Sequence, residues 1–70
     1  MSQIIYILEW HYLHDNEETR EVVLGYYSSQ KKRAQAKEYF QLPKTQASYP
    51  MFRNGGEFGE FAAELDANQL

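Results

Sequence analysis

Few of the 70 side chains could take part in covalent chemistry, and their spacing argues against a catalytic centre. There is no cysteine, which excludes a thiol nucleophile, a disulfide and a thiolate metal site together. The two histidines are His11 and His14. Three apart on a strand, they point to opposite faces and cannot share a metal. His11 does share a face with Glu9, either as a surface contact or as a general-base pair. Ser28 and Ser29 lie outside any G-x-S-x-G context and are better placed to cap a helix. Asp15, Glu17 and Glu18 lack the glycine and closing glutamate of a calcium loop. Gly55-Gly56 is followed by Glu57, not by the lysine of a phosphate-binding loop. The chain therefore reads as non-catalytic, with no metal and no cofactor expected.

The charged residues are more informative, because they come in blocks. Residues 1–27 set Glu9, Asp15, Glu17, Glu18 and Glu21 against Arg20, a net of −4. Residues 28–44 set Lys31, Lys32, Arg33, Lys37 and Lys44 against Glu38, a net of +4. Residues 45–70 return to −3, with Glu57, Glu60, Glu64 and Asp66 against Arg53. Two candidate binding surfaces follow. Asp15, Glu17 and Glu18 cluster on a turn with Glu21 nearby, which suits a basic protein surface; the plain alternative is a turn that keeps a small protein soluble. Lys31, Lys32 and Arg33 stand at a helix start, where the macrodipole favours acids. Free N–H groups and cations there would make an anion site, with Lys37 one turn on. Set against this, Lys32 and Arg33 flank the core side and can lay their stems along it. Lys31 and Lys37 face solvent and diverge around the helix.

The elements that position these residues are readable from pattern. Ile4, Tyr6, Leu8, Trp10 and Tyr12 alternate on one face, with Ile5, Ile7 and Leu13 on the other, which predicts a strand central in its sheet. A polar turn leads to a second strand over Thr19–Tyr27, with Val22, Leu24 and Tyr26 on one face and Val23 and Tyr27 on the other. Gly25 within it marks a bulge or a close backbone approach. Ser28-Ser29 then caps a helix over Gln30–Gln41 whose core face is Ala36, Tyr39 and Phe40. Leu42-Pro43 ends that helix, since a residue before proline is pushed out of the helical region. Lys44 to Gly56 reads as a loop, in which Tyr49, Met51 and Phe52 are apolar enough to fold back onto the core or a partner. Phe58, Phe61, Ala62 and Leu65 fit i, i+3, i+4 and i+7, so periodicity favours a short second helix over a third strand.

Size and composition bound the rest. Seventy residues make one small domain with a thin stability margin. The chain compensates with Trp10, six tyrosines and four phenylalanines, enough for a compact core with aromatics left over. Either a well-packed monomer with an apolar patch or, as the preferred expectation, a homodimer that hides it follows. The N-terminal region has no positive charge, and the apolar run Ile4–Leu8 is too short for a signal peptide or a membrane span. A cytoplasmic, non-membrane protein is the expectation, and the net charge of −3 disfavours non-specific nucleic-acid binding.

Gly25-Tyr26-Tyr27-Ser28-Ser29, the Lys-rich helix ending at Leu42-Pro43, Tyr49-Pro50 and the closing Glu64-Leu65-Asp66 together resemble a family of uncharacterised small proteins. That family occurs in phages, prophages and Gram-positive bacteria. The resemblance implies a strand-strand-helix-strand fold and brings no known activity. Arg33 and Lys37 stand where the family pattern has apolar helix residues. The fold class expected is thus α+β, a β-hairpin with one helix packed on it and a C-terminal third strand or short second helix. The function expected is a non-catalytic protein-binding accessory protein, of the mobile-element kind that inhibits a host nuclease or defence system, as anti-CRISPR proteins do. It would contact a host protein through Asp15, Glu17, Glu18 and Glu21. The alternatives are a nucleic-acid or nucleotide binder using Lys31, Lys32, Arg33 and Lys37, and a purely structural homodimer.

Overall fold

The computed structural model describes residues 2–14, 18–53 and 55–66. The chain is an α+β fold, built on a three-stranded antiparallel sheet in the order β2-β1-β3. Strand β1 (Ser2–His14) is central, as its two apolar faces require, and β2 (Glu18–Tyr27) forms the hairpin with it. Helix α1 (Gln30–Gln41), a short helix α2 (Pro43–Ala47) and a 3-10 turn (Pro50–Phe52) lead to β3 (Glu57–Asp66). Because β2 and β3 both run antiparallel to β1, they are parallel to each other. Joining them takes a crossover above the sheet, and this crossover contains the protein's helices. One face of the sheet is therefore covered, and among the described residues the other is left bare. Among the described residues no helix is long and apolar enough to cross a membrane.

The C-terminal third strand of the expected fold is present over Glu57–Asp66, against the periodicity, which favours a helix there. In the strand, Phe58 and Ala62 face the helices while Phe61 and Ala63 face away. Without β3, ten residues of β1 from Ser2 to His11 would have one edge unpaired. Satisfying that ladder outweighs a modest helical propensity, which Gly59 lowers further.

A bulge corrects the second strand as well. Leu8 pairs with Gly25 but Glu9 pairs with Val23, so Leu24 has no opposite residue. The extra residue flips the side-chain parity beyond it. Tyr26 consequently joins Val23 on the bare face, and Tyr27 joins Val22 on the helix side. Tyr27 lies over Gly25, where a Cβ would collide with the tyrosine hydroxyl. Phe61 lies over Gly59 in the same way, with its ring 2.6 Å from where a Cβ would stand. Each edge strand thus covers a glycine with the aromatic ring two residues on.

The core lies on the helix side around Leu8, which is completely buried, with Trp10 and Phe52. Ring centroids of Trp10 are 4.5 Å from Phe52 and 4.8 Å from Phe58, and Phe40 and Tyr49 close on Phe52 from the other side. Trp10 Nε1 donates to the Met51 carbonyl at 2.8 Å. The segment after α1 is therefore no loose loop: Met51 and Phe52 fold back onto the tryptophan, and Tyr49 packs on Phe52 and Phe40. Its return to β3 needs Gly56, where a Cβ would stand 2.8 Å from the Trp10 ring.

Helix α1 starts at Ser29, whose Oγ accepts from the Lys32 amide at 3.2 Å. It ends at Leu42, held extended before Pro43. Its sheet-facing stripe differs from the apolar one expected. Arg33, Ala36, Lys37 and Phe40 are half-buried, whereas Tyr39 is 54% exposed. Arg33 Nη1 donates to the Phe61 carbonyl at 2.7 Å, and its guanidinium lies over the Tyr6 ring. Lys37 Nζ reaches Glu60 at 3.5 Å and lies over Phe58. The helix is docked through cations laid along aromatic rings and ended on a carboxylate.

Candidate functional site

The bare face of the sheet is ordered in rows by the strand register. Tyr26, Ile7 and Phe61 lie side by side across the three strands, followed on one side by Ile5 with Ala63 and then Gln3 with Leu65. On the other side come Val23, Glu9 and Gly59, and then Glu21, His11 and Glu57. The first half of the face is apolar, with Tyr26 67% and Phe61 46% exposed. The second half places the carboxylates of Glu9 and Glu21 beside the His11 imidazole, with Glu57 opposite it in register. No lysine or arginine falls on this face among the described residues.

The imidazole is held from several sides. His11 Nε2 and Glu9 Oε1 are 2.8 Å apart, and the ring stacks on Phe61 at 6.1 Å. Gly59 makes room for it, since a Cβ there would lie 2.9 Å from Nε2. One ligand atom each of Glu9, His11 and Glu21 falls within 4.8 Å of the others. One nitrogen and two carboxylate oxygens are a donor set that a divalent transition metal accepts. The Glu9–His11 pair also has the heavy-atom separation a general base needs. It lies on an open sheet surface beside a depression of about 420 Å³, which His11, Thr19, Gly56 and Glu57 help to line.

The sequence-derived sites are redistributed by this geometry. Asp15 and Glu17 lie outside the described residues. Glu18 pairs with Arg20 at 3.5 Å, and the register puts both on the helix side of the sheet. Glu21 is on the bare face opposite His11. The two described members of the acidic turn therefore do not share a surface, and Glu21 finds its companions in Glu9 and Glu57 instead. The basic set also divides. Lys31 and Lys32 are exposed at the helix start. Arg33 and Lys37 turn inward to Glu60, so Lys37 does not face solvent as its helical position suggested. Glu57 was visible in the sequence only as one acid of a tail; strand pairing to His11 gives it a place. The apolar half of the face had a signal, the odd-numbered Ile5 and Ile7 of a strand that one helix could cover only from the other side.

No protein-family model, curated protein or solved structure matches this chain.

Proposed function

We propose that this chain is a non-catalytic protein-binding module that engages a basic surface of a host protein through the acidic end of its bare sheet face. The observation that carries the reading is the convergence of Glu9 and Glu21 on His11, with Glu57 paired to His11 from the neighbouring strand, on a face without a described cation. Such a surface attracts a positively charged partner and repels nucleic acid and anionic membranes. Asp15 and Glu17 belong to the same acidic block of the sequence as Glu9 and Glu21. Placement among phages and other mobile elements, and inhibition of a host nuclease or defence system, rest on the sequence resemblance and on class analogy. A cytoplasmic location fits a chain without cysteine. The nucleic-acid reading is the weaker one, because two of its four cations are occupied by Glu60.

The test is an affinity capture from bacterial lysate, with and without nuclease, read by mass spectrometry. Wild type should retain one host protein in both conditions. Glu21→Lys with Glu57→Lys should lose it, and Lys31→Glu with Lys32→Glu should keep it. The opposite pattern, or capture that disappears with nuclease, refutes the acidic-end reading.

A further inference from the structure

We infer that Glu9, His11 and Glu21 form a binding site for a divalent transition metal, zinc being the ion to test, on the bare face of the sheet. The three residues come from two strands, and three features of the fold bring them together. The first is the bulge. Leu8 lies opposite Gly25, and an unbroken register from there would set Leu24 across from Glu9 and Val22 across from His11. Glu21 would then fall on the helix side, opposite Tyr12. The extra residue shifts the pairing to Glu9 with Val23 and His11 with Glu21, so the bulge delivers the second carboxylate to the imidazole. Bulges re-aim side chains in this way beside functional sites. The second feature is Gly59, because a Cβ there would stand 2.9 Å from His11 Nε2. The third is the Phe61 ring, which stacks on the imidazole at 6.1 Å and fixes its plane.

The donor geometry suits such an ion. One ligand atom from each residue lies within 4.8 Å of the other two. In a tetrahedral zinc site with bonds of about 2.0–2.2 Å, the ligands stand about 3.4 Å apart. His11 Nε2 and Glu9 Oε1, now 2.8 Å apart, part by about half an ångström as the metal replaces the hydrogen between them. Glu21 is exposed and can swing in. Charge points the same way. The His11 and Glu9 side chains are only 25% and 20% exposed, and no lysine or arginine falls on this face among the described residues. Charges taken out of water are paired or coordinate a metal, and a dication offsets both carboxylates. The imidazole then selects the ion: magnesium and calcium take oxygen ligands, whereas one nitrogen with two carboxylates suits zinc and its neighbours. Three protein ligands leave a fourth position for water or for a donor from a bound partner. One histidine is enough, so the opposite orientations of His11 and His14 do not exclude this site.

Calorimetric titration of zinc chloride into the purified full chain tests this directly. Wild type should bind one zinc per chain with a Kd of about 10 μM or tighter. Glu9→Gln, His11→Gln and Glu21→Gln should each weaken binding more than about tenfold, and His14→Gln should leave it unchanged. Trp10 is buried on the opposite side of the sheet, so its fluorescence reports whether each variant is folded. Glu21 is exposed, so Glu21→Gln still decides the matter should either of the other two unfold. Magnesium at about 5 mM should not displace the zinc. The inference is overturned by the absence of saturable binding at about 100 μM zinc, by binding that survives Glu21→Gln, or by binding lost with His14→Gln. Displacement by magnesium overturns it too, leaving an acidic surface only. No partner protein is present in the titration, so failure here leaves the acidic-end reading to the capture experiment.

Discussion

Truncating Phe52 to alanine tests the account of the core most sharply, because sequence pattern puts this residue in a loop while the structure puts it under Trp10. Phe52 is only 7% exposed, and its ring meets those of Trp10, Phe40, Tyr49 and Phe58 at centroid distances of 4.5 to 6.4 Å. Burying a ring of roughly 150–200 Å² at about 25 cal/mol per Å² gives about 4–5 kcal/mol as an upper bound. The measured cost of Phe→Ala in packed cores, about 3–5 kcal/mol, agrees. Against a total stability of roughly 3.5–10 kcal/mol for a chain of this length, the variant should be partly unfolded at room temperature. Tyr39→Ala supplies the contrast. Periodicity makes Tyr39 a core residue, yet it is 54% exposed and rests on Phe40 alone among described rings, so its loss should cost about 1 kcal/mol or less. Urea unfolding followed by Trp10 fluorescence, at one fixed protein concentration, measures both. Equal costs, or a Phe52→Ala cost below about 1 kcal/mol, would show that the 3-10 turn does not close the core.

Two further outcomes concern the backbone and the helix docking. Gly56→Ala should cost more than Gly59→Ala in the same urea assay: at Gly56, φ is +153° and a Cβ meets the His11 carbonyl and the Trp10 ring, whereas at Gly59 it meets only the movable ends of Phe61 and His11; about 2–3 kcal/mol against about 1 is expected. A double-mutant cycle of Arg33→Met and Glu60→Gln should return a coupling of about 0.5–1 kcal/mol that shrinks with added salt, since the pair is part-exposed and 3.9 Å apart; zero coupling at low salt would mean that Arg33 acts through the Phe61 carbonyl and Tyr6 alone.

What the sequence disclosed and what it hid divide along a physical line. Strand β1, the hairpin, the Ser29 cap and the stop at Leu42-Pro43 depend on residues close in the chain, and all are legible. The orientation of Lys37 depends on Glu60, which lies 23 positions away, so α1 alone cannot reveal it. The bulge at Leu24 is one residue of register, marked only by the neighbouring Gly25. Periodicity alone hides strand β3, because Phe58, Phe61, Ala62 and Leu65 satisfy a helical period; the third strand expected from the resemblance is present, and pairing with the edge of β1 is what outweighs the period. The candidate site shares this fate. Glu9 and His11 are readable as a pair from spacing two along a strand, but Glu21 and Glu57 reach them through strand pairing.

The position of β1 between its two neighbours also sets an order of assembly. The hairpin closes among residues 2–27, whereas β3 pairs residues between 46 (His11 with Glu57) and 64 (Ser2 with Asp66) positions apart. Such distant pairing is slow to form. On the ribosome the delay is unavoidable, because 39 residues separate Tyr27 from Asp66, roughly 2–8 s of synthesis. Throughout that interval an apolar strand carries a row of unpaired amides and carbonyls along one side. A nascent chain stalled before residue 57 is therefore a template for any extended segment that reaches it, and β3 is the strand that closes that opportunity.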